Sequence, residues 1–254
     1  MGLAAGNLAR VAASDAVHAT RLPRVVRFLL IVVACAFVST HAQAAADLKP
    51  DAAPRMDFTP LSPGTYRLQK IQSVADASLL NEHGQPIQLR AATTGKVTLL
   101  TFFYTYCVDP LGCPFARETL GSLRDQILTD QRLAPTVRFV NITCDPTTDT
   151  PEVLTSYASQ IRQGVSKNER FDWQFLTARS VPALLPVLDD LGQDVSVDID
   201  EHGRPTRALH HMLKVFLIDA RGMVREIYTL AYLQPEVMLN DIRTLALETA
   251  ALER

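Results

Sequence analysis

Basic charge, cysteine and long apolar runs are all scarce in this 254-residue chain. Lys and Arg number 25 against 27 Asp and Glu, a formal net charge of −2. That balance gives no basis for nucleic-acid binding, which needs a positive stripe to track phosphates. The apolar run Phe28 to Val38 has eleven residues, about half of the ~20 a helix needs to span a bilayer. Flanking residues could lengthen it if it stays attached. No internal repeat and no second domain is visible. Four cysteines, one of them inside that apolar run, are too few and too uneven for a disulfide scaffold.

What is present at the start has a clear order. Arg21, Arg24 and Arg27 precede the apolar run, and Ala42-Gln43-Ala44 follows it as a small-x-small cleavage site. Residues 1–46 therefore read as a signal peptide, or an uncleaved anchor, behind an unusually long leading region. Cys35 follows Val32-Val33-Ala34, which admits lipid attachment; the plainer reading is a small apolar residue of the signal. These residues carry four arginines and one aspartate, so the remainder has 21 Lys and Arg against 26 Asp and Glu, a net charge of −5. Cys107, Cys113 and Cys144 remain. An odd count in an exported chain leaves at least one thiol without an internal partner, which suits a metal or redox site.

Residues 47–66 are rich in Ala, Pro and Asp and read as a flexible arm, leaving 67–254 as the folded domain. A loose alternation over 71–80, a turn at Asn81-Glu-His-Gly84 and a short strand from Pro86 to Leu89 predict an N-terminal hairpin. Lys96 to Tyr104 is apolar and β-branched enough for a buried central strand. Apolar residues at 115, 116, 120, 123, 127 and 128 form a helical face. A second buried strand covers Val137 to Thr143, and Thr150-Pro151-Glu152 opens a helix to about Gln163. Phe171 to Thr177 is a strand, Val181 to Leu191 a helix interrupted by Pro186, and Leu213 to Ile218 a strand. Asp219 to Gly222 turns the chain back into Val224 to Leu230, and Pro235 opens a final helix to about Ala251. This order predicts an α/β protein of thioredoxin-like fold, with a central mixed sheet flanked by helices and an N-terminal hairpin.

The chemistry gathers where the central strand gives way to the first long helix. Cys107 ends the run Leu99 to Tyr106, and Cys113-Pro114 opens the helix, because proline is at home in a first turn. Helix N-termini favour a thiolate. Two thiols six positions apart can hold a soft metal, exchange electrons, or close a plain disulfide. His211, just before the strand at Leu213, is the third candidate, since that loop of a thioredoxin-like sheet approaches the start of the first long helix. Two sulfurs and one imidazole suit copper, but zinc also accepts that set.

Leu100-Thr-Phe-Phe-Tyr-Thr-Tyr-Cys107, Cys113-Pro114, Thr143-Cys-Asp-Pro-Thr-Thr-Asp-Thr-Pro-Glu-Val-Leu154, Trp173-Gln-Phe-Leu-Thr177, and His211 five residues before Phe216-Leu-Ile-Asp219 occur in this order. Together they resemble the SCO1/SenC family of copper-handling thioredoxin-fold proteins over about residues 66 to 250. The resemblance implies that Cys107, Cys113 and His211 bind copper, as Cu(I) or Cu(II). It implies delivery toward a copper-accepting subunit of cytochrome c oxidase, or another copper or thiol carrier, and residence in a bacterial periplasm, free or attached to the inner membrane. Two departures stand out. Five residues separate the cysteines where the family has three, and His210 stands where the family has an aspartate.

The remaining candidates read more plainly. His210 would point away from His211 on an extended backbone. Cys144 reads as a small buried hydrophobe, with a resolving thiol as the rival. Asp145 and Asp149 organise the turn and the start of the helix after it, His83 and His202 sit in solvated turns, and Tyr104, Tyr106 and Trp173 pack around the site. The rival function is a thiol–disulfide oxidoreductase acting on a copper-accepting partner, with Cys107 and Cys113 as its redox pair. Against a general thioredoxin activity, the spacing is not Cys-x-x-Cys, and His-His-Met replaces the proline segment before the Leu213 strand. A thiol peroxidase is disfavoured because position 100 is leucine where its motif has proline.

Overall fold

The computed structural model describes residues 58–162 and 171–252. The signal region and most of the arm lie outside the described residues, as does the end of the helix expected to reach Gln163. In chain order the strands are β1 (Gln72–Ser73), β2 (Ser78–Asn81), β3 (Pro86–Gln88), β4 (Val97–Phe103), β5 (Val137–Thr143), β6 (Trp173–Thr177), β7 (Val195–Ile199), β8 (Pro205–His211), β9 (Lys214–Ile218) and β10 (Met223–Thr229). The helices are α1 (Leu89–Thr93), α2 (Cys113–Leu128), α3 (Pro151–Arg162), α4 (Val181–Asp190) and α5 (Pro235–Leu252).

Eight strands form one mixed sheet in the order β1-β10-β9-β4-β5-β6-β2-β3. β4, β5 and β6 run parallel, while β9 is antiparallel to β4 and β10 to β9. Every residue of β4 is buried, which is why its sequence reads as one continuous apolar run. The pleat divides that run between two cores. Val97, Leu99 and Phe103 face α2, α3 and α5, while Leu100 and Phe102 face α1 and α4. The result is the three-layer thioredoxin-like fold. Both layers are closely packed, so truncating a fully buried side chain such as Leu100 to alanine costs about 3 kcal/mol.

The expected hairpin exists as β2–β3 at one edge of the sheet, but residues 72–73 leave it and pair with β10 at the opposite edge. Leu89, expected to end a strand, instead opens α1. Pro186 does not break α4. It costs one backbone hydrogen bond, and Leu184, Val187 and Leu188 anchor the helix around it.

The larger difference is β7–β8, a separate two-stranded sheet that the sequence reading passed over. Val195-Ser-Val-Asp-Ile199 alternates with period two, and its turn is built on Asp200, whose carboxylate accepts the backbone N–H groups of His202 and Arg204. Gly203 takes φ +75° there. His211 is thus the last residue of a strand rather than part of a loop.

Candidate metal and thiol site

β4 delivers the chain to Tyr104, and a turn closes immediately: the Cys107 N–H donates to the Tyr104 carbonyl at 3.2 Å. The five residues after it form an outward excursion with Val108 almost wholly exposed. Asp109 organises the return. Its carboxylate accepts the Leu111 N–H at 3.1 Å, and its carbonyl accepts the Gly112 N–H at 3.0 Å. A Cβ at Gly112 would come within 3.3 Å of the Asp109 side chain, so the turn closes most easily around glycine. α2 then begins at Cys113 with Pro114 in its first turn.

Below this loop a buried carboxylate fixes the strand ends. Asp149 accepts the Thr105 N–H and the hydroxyls of Thr105 and Thr143, joining the end of β5 to the residue two before Cys107. Burial outweighs those bonds and raises its pKa. Asp145 accepts from Tyr106 Oη at 2.7 Å and from Thr147 and Thr148. Burial pushes its carboxyl up, but the Thr147, Tyr106 and Thr148 hydrogen bonds prevail and hold it down at about 2. Both aspartates organise backbone, as expected.

Cys113, only 6 % exposed, places Sγ 3.8 Å from His211 Nε2. Cys107 and Cys113 are free thiols. The neighbouring Cys113 side chain is the main cause holding the Cys107 thiol well below the ordinary value. Burial opposes it, and the Cys113 backbone N–H, the Tyr104 hydroxyl and the Asp109 backbone assist. The helix N-terminus therefore acts on the sulfur across the loop. The Cys113 thiol is pushed strongly up, first by the Cys107 side chain and then by burial. Burial lowers the pKa of His211, against the pull of the Cys107 charge, leaving a neutral imidazole with a lone pair for a ligand. Its Nδ1 is buried without a hydrogen-bond partner among the described residues.

A soft sulfur and a neutral ring nitrogen thus meet, with Cys107 on the loop that leads into Cys113, and this donor chemistry would suit a soft cation such as copper. Among the described residues, no three His, Cys, Asp or Glu side chains are already closed around a single metal position. The donors are gathered, not locked.

The SCO1/SenC family profile matches residues 67–247. The chain belongs to the SCO1/SenC family. Solved structures agree on the fold. Bradyrhizobium japonicum ScoI with copper bound is 21% identical, with TM-score 0.53, covering 68% of this chain and 99% of that one. A SCO1/SenC family lipoprotein from Bacillus anthracis is 24% identical, with TM-score 0.54, over 69% and 95%. Apo Sco1 from Thermus thermophilus is 22% identical, with TM-score 0.57, over 74% and 98%. A comparison with curated proteins gives no match.

Against this SCO1/SenC frame the other candidates separate. His210 turns away from His211, and its Nε2 lies 3.1 Å from Asp198 Oδ1 on the exposed face of β8. His83 and His202 sit exposed in turns beside Glu82 and Glu201. Cys144 packs with Leu100, Phe102 and Ile142 on the face of the sheet opposite Cys113, and burial pushes its thiol up to about 12. A small hydrophobe is what this position needs. Trp173 is not at the site. It lies level with Leu99 and Phe139, near the start of the parallel strands, and donates Nε1–H to Asn141 at 3.0 Å. Tyr106 does border the site, its ring covered by the Arg207 guanidinium at 5.2 Å. Sequence reasoning gave Tyr104 no role beyond packing, and its hydroxyl donates to the Leu209 carbonyl. No local pattern signals that contact, which spans 105 residues.

Proposed function

We propose that this SCO1/SenC protein binds one copper ion through Cys107, Cys113 and His211 and hands it to a copper-accepting oxidase subunit or another copper or thiol carrier. The observation that carries the reading is the 3.8 Å approach of Cys113 Sγ to His211 Nε2. Relatives support it. Bradyrhizobium ScoI and yeast Sco1 have been solved with copper bound, and BsSco is described as a member of a family of cytochrome c oxidase assembly proteins. Copper is cargo in this reading. The half-exposed Cys107 offers a ligand that an incoming thiol can displace, while the buried Cys113 and His211 hold on. The signal in residues 1–46 supports export to a periplasm, with 67–254 as the working domain. No described helix is long and apolar enough to cross a membrane. The test is anaerobic titration of reduced protein with Cu(I), counting retained metal by elemental analysis. About one copper per chain is expected, lost when both cysteines become serine; a wild-type protein that retains none sinks the reading.

Thiol–disulfide exchange is a second reading, favoured by the asymmetry of the two thiols. A half-exposed cysteine held toward thiolate beside a buried, protonated one is the polarity of an attacking and a resolving thiol. BsSco, a relative, is described as containing a disulfide switch. Against a broad thioredoxin-type activity, His210-His211-Met212 precedes β9.

A further inference from the structure

We propose that Tyr104 is a positioning residue whose hydroxyl ties the end of β4, where Cys107 turns back, to the strand that carries His211. The inference rests on the three-donor reading above and concerns what keeps those donors together. Tyr104 follows β4 and is buried. Its Oη donates to the Leu209 carbonyl at 3.2 Å, two residues before His211 on β8. The Cys107 backbone N–H folds back onto the Tyr104 carbonyl at 3.2 Å, so the residue that holds β8 also closes the cysteine turn. The ring meets the His211 imidazole edge-on, with centroids 5.9 Å apart at 68°, and meets Tyr106 at 4.8 Å.

These contacts matter because β7–β8 is not part of the main sheet. Cys107 and Cys113 belong to the body of the fold, while His211 arrives on a hairpin that the sheet ladder does not hold. Tyr104 reaches both. A hydroxyl has one proton to donate, and here it goes to the Leu209 carbonyl. Phenylalanine would pack the same ring and edge on the same imidazole but could not make that bond. Burying a hydroxyl is costly unless it is bonded, so its presence here requires the partner it has. Burial raises its pKa, so the proton it donates is present near neutral pH.

The test is a double-mutant cycle on the full chain, with Cu(I) affinity measured anaerobically by competition with a chromogenic chelator. Tyr104→Phe should weaken binding about 10- to 100-fold, the usual effect of losing a group that orients a ligand. In a His211→Ala background the same change should cost less than about threefold, because the ligand it positions is already gone. Equal losses in both backgrounds, or no loss in either, overturn the proposal and leave the three-donor reading standing. A wild-type protein that retains no copper instead defeats that reading, and hydrogen exchange on the metal-free protein then judges the tie alone. The Leu209 to His211 amides should exchange at least about tenfold faster in Tyr104→Phe, as expected for a segment released to local opening. Unchanged exchange overturns the tie whatever copper does, and thermal melts of both proteins establish that the variant is folded.

Discussion

Cys113 Sγ and His211 Nε2 lie 3.8 Å apart across 98 residues of sequence, one on the first turn of α2 and the other at the end of β8. The pair joins two parts of the molecule with different mechanical backing. Cys113 is set into the core beside Phe115 and Ala116. His211 is presented by a hairpin outside the main sheet. A soft ligand placed between them would be held by two buried donors, a sulfur set in the main fold and a nitrogen brought in from the separate hairpin.

The first prediction concerns that nitrogen. His211→Ala should leave Cys107 and Cys113 able to bind copper, but with affinity reduced by more than about 100-fold, since even a group that merely orients a ligand costs 10- to 100-fold. Anaerobic chelator competition reads the affinity, and X-ray absorption should show sulfur-only coordination. Unchanged affinity and unchanged oxidase assembly would mean that the histidine is only a packing residue and the cysteines a structural pair.

The second prediction follows from the opposite shifts of the thiols. Cys107 is held at about 5, first by the neighbouring Cys113 side chain, whereas Cys113 and Cys144 are pushed up. Alkylation of the reduced protein at pH 7 should therefore label Cys107 alone, with a rate that falls to half near pH 5 rather than at the ordinary thiol value of about 8.5. Cys113→Ala removes the leading cause and should move the inflection back toward that ordinary value. The linkage has a definite sign. Because folding depresses this value, its contribution to stability is complete above about pH 8.5 and disappears as pH falls through about 5. Mass spectrometry of labelled peptides across pH checks this, and an inflection at the ordinary thiol value in the wild-type protein would contradict it.

The framework was legible in the sequence where local signals were long. β4 and β5 announce themselves as unbroken apolar runs because both faces of the sheet are covered. α2 shows its buried face through 115, 116, 120, 123 and 127. The Cys107, Cys113 and His211 set could be named chiefly through the resemblance to the SCO1/SenC family, with the strand-to-helix junction and the placement before β9 agreeing with it. β7–β8 escaped notice because the alternation in Val195 to Ile199 covers only five residues and Val197 and Ile199 remain exposed. The path of residues 72–73 was unreadable because strand pairing is a tertiary choice, made here with β10. The Tyr104 hydroxyl was missed for the same reason. A tyrosine ending a buried strand looks like core until its partner 105 residues away is known.

The third prediction separates Cys144 from the chemistry. Its thiol packs on the opposite face of the sheet from Cys113, among Leu100, Phe102 and Ile142. Cys144→Ala should keep one copper per chain and leave the Cys107–Cys113 disulfide able to form. The cost should be a modest loss of stability, about 1 kcal/mol for one small buried group, read by denaturant unfolding of the reduced protein. A variant that fails to form or resolve the Cys107–Cys113 disulfide would restore Cys144 as a resolving thiol.

The last prediction concerns the five residues between the cysteines. Each end of the loop is held independently: Cys107 by its turn onto Tyr104, and Cys113 by the first turn of α2 and the core beneath it. Between them Val108 and Leu111 are exposed, and Asp109 and Gly112 provide the reversal. Deleting Pro110 and Leu111 leaves Asp109 and Gly112 adjacent and reduces the spacing to three residues. Because neither anchor is touched, the shortened protein should still retain one copper, with affinity equal to or tighter than wild type, since a shorter loop has fewer conformations to lose. An exposed apolar excursion beside a transfer site is also a surface for an acceptor to grip, so the same deletion should slow copper transfer to an acceptor. Stopped-flow transfer and equilibrium titration on one preparation separate the two effects. Loss of binding in the shortened protein would show that the loop itself sets the ligand geometry. Transfer at the wild-type rate would show that the excursion plays no part in recognition.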